Sequence, residues 1–527
     1  MTDLTNKLWG FCHTLRHDGI DHSDYVEQIT CLLFLKMAGE RDEPDLSKTK
    51  WKDETGKSRI TDCSWSSLTP LSGPALADHY TLILRVLARQ KGILGDIFDG
   101  AMNRFSNPVN LQRLIALVDG IAWTALDADV PAQAFEGLLE KAASEGKKGA
   151  GQYFTPRLII QSICRVMKPD PRKTKDFTLT DCAAGTAGFI SAAYEWFAGE
   201  MAGKKMPPPL WERVRDRTYF GQELVSRPRR LALMNLHLHG LNPEITLGDS
   251  IDAPPGPRRY DVVLTNPPFG TKGGSAPNRP DFPIRTSNKQ LNFLQHIYTI
   301  LKDGGRAAVV VPDNCLFADQ AAEVSKHLAG KCSIHTILRL PDGCFSPYSP
   351  GTRTNVVFFT KGEPTERVWI YDARTGVPSI TKKDRPLTQG QFATFGRCYG
   401  DDPNGRSPRH IGDSADNRWR SFTLKEIEKQ DYRFDSLKWL KEPSARPPEE
   451  DLDLVQICDK IIYHLKRAIE SVEALKQEIM TWTCYAKKYN QPAVPVPSPE
   501  SAAAVAPEIS PEEKQAKRKS SRSKAAA

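Results

Sequence analysis

No stretch of this 527-residue chain is apolar for long enough to span a bilayer. The first ten residues, MTDLTNKLWG, lack the basic region and apolar run of a secretory leader. None of the 11 cysteines falls in a Cys-x-x-Cys pair, which argues against a zinc site and against a disulfide framework. These absences lead us to expect a protein of the reducing cytoplasm, with no membrane partner and no metal. What is present is ordinary for a soluble globular chain: 39% hydrophobic and 26% charged residues, in a length that suggests roughly three domains. The net charge of +8 permits an anionic partner without identifying one.

Along the chain, residues 1–145 read as a helical domain. The run DYVEQITCLLFLKMAGE follows Ser23, with Asp24 and Glu27 at the spacing of a capping box. Near residue 146 the pattern changes. A basic, Gly-rich loop leads to Thr155, read as a helix cap, and Pro156, read as the first helical turn. From there to about residue 370, short apolar strands alternate with helices, which predicts a parallel sheet wrapped by helices. The helix through NKQLNFLQHIYTILKDGG is expected to stop at its glycines. Residues 371–450 are polar and turn-rich and read as an irregular extension and linker. Within 451–490, Leu454, Ile461, Ala468, Leu475 and Trp482 recur every seventh residue, a seam for packing on another helix in this chain or in a partner. Residues 491–527 are Pro-, Ala- and Ser-rich with a basic end, and are expected to be a disordered tail.

Four strand ends carry chemistry. In TDCAAGTAGF, Asp181 closes a strand and Gly185, Thr186, Ala187 and Gly188 form a tight turn into a helix. Small residues there let a ligand lie against the backbone. The spacing is neither the Gly-x-Gly-x-x-Gly dinucleotide fingerprint nor a phosphate loop. Glu223 ends the next strand, where a carboxylate can accept both hydroxyls of a ribose, although such residues also cap helices. Asp249 in LGDS ends a third and is placed to meet an exocyclic amine. The fourth, YDVVLTNPPF, leaves its strand through Asn266, Pro267, Pro268 and Phe269. The prolines cannot continue a ladder and stiffen the backbone behind Asn266. An asparagine amide is no base, but its carbonyl and the backbone carbonyl after it are two fixed acceptors. They suit an NH2 on a planar group, on which Phe269 would stack.

In that order, TDCAAGTAGF, GQE, LGDS and NPPF resemble the S-adenosylmethionine-dependent DNA amino-methyltransferases. With GQYFTPR, RRLALMN, TSNKQLNFLQHI, GGRAAVVVPDN and HTILRLPDG, the chain is similar to the modification subunits of type I restriction-modification systems over roughly residues 1–400. The resemblance implies an α/β fold: a Rossmann-like methyltransferase sheet at 146–370, flanked by the N-terminal helical domain and a C-terminal helical region. It implies S-adenosyl-L-methionine as cofactor. Gln152, Tyr153, Phe154, Thr155, Pro156 and Arg157 would line its methionine end and one wall of the pocket. Asp181, Gly185, Thr186, Ala187 and Gly188 would hold the amino-acid part, Glu223 the ribose and Asp249 the adenine. Asn266 and the Pro267 carbonyl would bind the target N6 amine, with Phe269 stacked on the base. Cys182 departs from the family, which more often has proline there; the difference bears on the turn's stiffness.

The implied reaction is direct attack of a flipped adenine's N6 on the cofactor methyl, without a covalent enzyme intermediate. Cys164, Cys182 and Cys315 are then structural. Implied partners are double-stranded DNA, a specificity subunit, a second copy of this chain and a restriction subunit when present. The heptad seam would be a docking helix. Two other readings remain: methylation of a protein glutamine amide, against which Phe269 and the long flanks count, and a non-catalytic cofactor-binding scaffold, against which Asn266 counts.

Overall fold

The computed structural model describes residues 3–440, except 17–18, 42–43, 127–128, 146–153, 253, 270–275, 317–319, 347–350 and 382–383. Beyond 440 it describes only Ile462, Ile469, Glu473 and Lys476. The heptad seam and the basic tail therefore lie outside the described residues. Met1–Glu442 form one compact unit, which holds the sheet and the candidate site.

The chain opens with helices, among them Asp3–Arg16, His22–Arg41, Gly73–Leu87, Pro108–Asp119 and Asp129–Glu145, interrupted by a small antiparallel ribbon of β1 (Thr49–Lys52) and β2 (Ser58–Thr61). The long helix His22–Arg41 starts earlier than its sequence suggests. Asp21 accepts from the Asp24 amide, and Glu27, expected in a capping box, is instead buried in ion pairs with Arg227 and Arg230.

The main sheet contains β3 (Leu179–Asp181), β4 (Tyr219–Glu223), β5 (Glu244–Leu247), β6 (Tyr260–Thr265), β7 (Leu301–Pro312), β8 (Cys332–Arg339), β9 (Thr354–Lys361), β10 (Arg367–Asp372) and β11 (Trp419–Thr423). Its order is β11-β10-β8-β9-β7-β6-β3-β4-β5. The stretch from β5 to β7 is parallel, as the alternating pattern predicts. The sheet as a whole is mixed, because β9 runs antiparallel between β7 and β8, and β11 antiparallel to β10. Nothing in the apolar composition of β9 distinguishes direction; pairing partners decide it. Residues 371–440, read as irregular, add β11 to this sheet as well as the helix Gly390–Tyr399.

Alternation along each strand divides the core in two. Val262, Leu264, Val310 and Phe358 face one apolar layer, and Val263, Val309, Val311 and Phe359 face the other. The first layer extends into the N-terminal helices. At β7 the glycines do something other than end a helix. The helix Lys289–Ile300 stops before them, and Gly304 and Gly305 make an irregularity in the β6–β7 register. A Cβ on Gly305 would lie 2.9 Å from the Tyr260 carbonyl oxygen and 2.8 Å from that of Lys302, so only glycine fits.

Chain order places the site. From β3 the sheet grows outward through β4 and β5. It then returns across β3 to continue as β6 and β7 on the other side. That reversal makes the carboxyl ends of β3 and β6 a topological switch point, the place where ligands of open α/β sheets bind in a crevice.

Candidate functional site

The strand ends singled out in the sequence become neighbours. β6, β3, β4 and β5 are adjacent and parallel, so Asn266, Asp181, Glu223 and Asp249 follow one another along one edge. The backbone beneath them is fixed by their own side chains. Asp181 is buried, and one of its oxygens accepts from the Thr265 hydroxyl (2.6 Å) and the Ala183 amide (3.0 Å). It thereby ties the start of the glycine turn to the last residue of β6. Burial raises its carboxyl to about 7, against the hydrogen bonds from Thr265 and Ala183, which pull the other way.

The turn itself needs unusual backbone. Gly185 has φ +54° and open space where a Cβ would stand, and Ala187 is left-handed at φ 63° just before the helix Gly188–Glu200. Glu223 holds the turn: its carboxylate accepts from the amides of Gly185 (2.8 Å) and Val225 (2.9 Å). Burial raises its carboxyl, opposed by those backbone bonds. Leu224, Val225 and Leu247 are exposed apolar side chains beside it, an apolar border that the sequence reading did not single out. Asp249 is half-buried and accepts from the Ile251 amide at 2.7 Å.

On the other side of the crevice, Thr265 is the last residue of β6 and Asn266 follows it directly. The Asn266 amide nitrogen donates to the Thr155 hydroxyl at 2.8 Å, and its carbonyl oxygen is buried without a partner. Thr155 is thus no helix cap. The helix Arg157–Met167 starts at the residue after Pro156 without a side-chain cap, and the Thr155 hydroxyl is turned to Asn266. Pro267 is buried and Pro268 exposed, with the Pro268 carbonyl accepting from Gln290 Nε2 at 3.1 Å. Phe269 is half-buried and packs edge-on against Phe345, ring centroids 5.6 Å apart. Gln290 sits in the TSNKQLNFLQHI block; Phe345 lies on a distant loop and no local pattern marks it.

Arg157 has other work than lining a pocket. Its guanidinium contacts Glu136 (3.1 Å) and Glu195 (2.5 Å) and donates to the Gly188 carbonyl and the Ser191 hydroxyl. Burial works against ionisation of both carboxylates. It prevails at Glu195, which is raised, and is outweighed at Glu136, which is lowered by His239 and Arg157. Glu136, Glu195 and the buried His239 lie close enough to ligate a cation, but Arg157 already supplies the positive charge between the two carboxylates. Asn235 joins this cluster by donating to Glu136 at 3.4 Å, and it also donates to the Thr186 carbonyl at 3.1 Å. Phe154 packs against the core nearby, while Gln152 and Tyr153 lie outside the described residues. Cys164, Cys182 and Cys315 are buried free thiols raised by desolvation, consistent with packing roles.

Comparison with known proteins identifies the family. The "N-6 DNA Methylase" family model matches residues 126–446, and the "HsdM N-terminal domain" model matches 4–128. The methylase subunit of the type I restriction enzyme StySJI from Salmonella typhimurium is 34% identical, over 90% of this chain and 95% of its own length. The EcoKI methylase subunit of Escherichia coli gives the same figures. Among solved structures, the EcoKI M protein is 32% identical over 91% of this chain and 96% of its own, with a TM-score of 0.50. A chain from a structure of type I restriction-modification complex assembly is 26% identical over 91% and 98%, with a TM-score of 0.68. No helix among the described residues is long and apolar enough to cross a membrane. With its sheet, its crevice and these relatives in agreement, the chain belongs to the N6-adenine DNA methyltransferase family, as a type I restriction enzyme methylase subunit.

Proposed function

We propose that the crevice takes S-adenosyl-L-methionine on the β3–β4–β5 side and a flipped adenine on the β6 side. The observation that carries this reading is the buried, unpartnered carbonyl oxygen of Asn266. A buried acceptor without a donor costs free energy, and its retention at a strand end beside a crevice calls for a ligand that supplies the hydrogen. The target N6 amine does so.

The residues present suit the cofactor. Gly185 leaves open space against the backbone, and Glu223 offers lone pairs beyond those used by Gly185 and Val225. The exposed Leu224, Val225 and Leu247 offer an apolar wall for a purine. When bound, the cofactor supplies an electrophilic methyl group on a sulfonium. In this reading Gly185, Thr186, Ala187 and Gly188 carry its amino-acid part, with Asp181 bracing the turn from beneath. Glu223 takes the ribose and Asp249 the adenine, and Phe154 and Pro156 close the near wall.

The chain's own contribution to transfer is orientation and two acceptors. Asn266 Oδ1 and the Pro267 carbonyl each accept one N6 hydrogen. Held by both, the amine is drawn out of conjugation with the ring, and its lone pair becomes available for attack. Phe269, backed by Phe345, stacks on the base. Gln290, bonded to the Pro268 carbonyl, keeps the segment in place. Adenine cannot reach this site from within a duplex, so the nucleotide is flipped.

Double-stranded DNA is the proposed substrate. A specificity subunit, a second copy of this chain and, where present, a restriction subunit are the proposed partners; the similar chains are named as subunits of such enzymes. The test is mapping N6-methyladenine across the host genome beside a strain carrying Asn266→Ala. Methylation should vanish at one two-part motif. An unchanged map would overturn the reading.

A further inference from the structure

Asn266 is gripped twice. Its backbone is held through Thr265, whose hydroxyl is bonded to the buried Asp181 at 2.6 Å. Its side chain is held by Thr155, a residue 111 positions earlier in the chain, at 2.8 Å. Thr155 is itself buried, and its hydroxyl has no role as a helix cap.

The two ends of an asparagine amide are nearly equal in shape, so sterics alone do not decide which end faces the crevice. Hydrogen bonds decide. A target amine offers donors only, so the Asn266 oxygen must face it, and the NH2 then points back into a buried setting where it needs an acceptor. The Thr155 hydroxyl is that acceptor. We infer that Thr155 is a positioning residue for methyl transfer: it accepts from the Asn266 amide nitrogen and so pairs that donor while the carbonyl faces the target amine. The inference rests on the proposed role of Asn266. It also gives Thr155 a task different from forming the cofactor wall.

Thr155 belongs to the segment entering the helix Arg157–Met167, and Asn266 to the exit of β6. Their bond joins these two segments directly, so the acceptor is set before either substrate arrives. Such preorganisation acts on the rate of transfer and leaves cofactor affinity alone.

The experiment uses the full chain assembled with its specificity subunit, and duplex DNA carrying the motif found by methylation mapping. Single-turnover transfer of labelled methyl and cofactor affinity are measured for Thr155→Val, Thr155→Ala and Thr155→Ser, with Asn266→Ala alongside. Valine keeps the shape and removes the hydroxyl. The expected result is a transfer rate lowered roughly ten- to hundredfold in Thr155→Val, as an unpaired buried donor implies. Cofactor affinity should stay within about twofold, and Thr155→Ser should recover most of the rate. Thr155→Ala provides a second hydroxyl-free variant should valine disturb folding, judged by thermal melting. An unchanged rate in the hydroxyl-free variants, or a loss of cofactor affinity that accounts for the whole defect, overturns the inference. Full activity in Asn266→Ala would overturn the site reading beneath it. An inactive Asn266→Ala beside a fully active Thr155→Val would sink only the role of Thr155.

Discussion

A carboxyl held at about 7 in the middle of a protein has a measurable signature. Asp181 in the unfolded chain titrates near 3.9, so the folded state binds its proton more tightly. The folded protein therefore takes up a proton that the unfolded chain lacks between about pH 4 and pH 7. Stability from this group is fully present below about pH 4 and is lost as pH rises through 7. Asp181→Asn keeps an acceptor for Thr265 and Ala183 and does not titrate. Urea midpoints should then show the wild type losing up to a few kcal/mol relative to the variant between pH 4 and 7. A wild-type-to-variant difference that is flat with pH would mean that Asp181 ionises normally. The sequence made Asp181 legible as a strand end, but not that its oxygen would be used up beneath the turn. That depended on Thr265, which becomes its neighbour only when β6 pairs with β3.

At the scale of elements, the site stands where helices from distant parts of the chain meet. The helix Arg157–Met167 buries Ile159, Ile160, Ile163, Cys164, Val166 and Met167 on its apolar side, a pattern visible in its spacing. Arg157 at its start instead joins Glu136, on the helix Asp129–Glu145, to Glu195, on Gly188–Glu200. Removing the guanidinium leaves two partly buried carboxylates facing each other. Arg157→Met should lower stability by about 3 kcal/mol, and adding Glu195→Gln should restore part of it. Equilibrium denaturation of the two variants checks this; equal stability of Arg157→Met and wild type would show that the cluster contributes nothing. The place of Arg157 in the cofactor wall is what the family resemblance implies. Its actual partners are set by how three helices pack.

Across the whole molecule, the candidate site residues, including Gln290 and Phe345, all lie within the unit that ends at Glu442. A chain ending at Glu442 should keep cofactor affinity within about twofold, while capture of the specificity subunit should be lost if the heptad seam after Asp451 is its docking helix. Co-purification of the truncated and full chains with that subunit decides the second point, and unchanged capture would remove the seam from the interface.

The amino-acid sequence by itself determined the alternating strands and helices, the polar strand ends Asp181, Glu223, Asp249 and Asn266, and the stiff exit through Pro267 and Pro268. All of these are written in neighbouring residues, through backbone stiffness, side-chain period and local hydrogen-bonding capacity. Only the tertiary structure decided that β9 runs antiparallel and that residues 371–440 add a strand to the sheet. It also decided that Glu27 forms ion pairs in place of a cap and that Thr155 turns from capping a helix to holding Asn266. Each of these rests on a partner far away in the chain. A side chain with several possible hydrogen-bond partners takes the one that burial leaves it, and the sheet order brings that partner within reach.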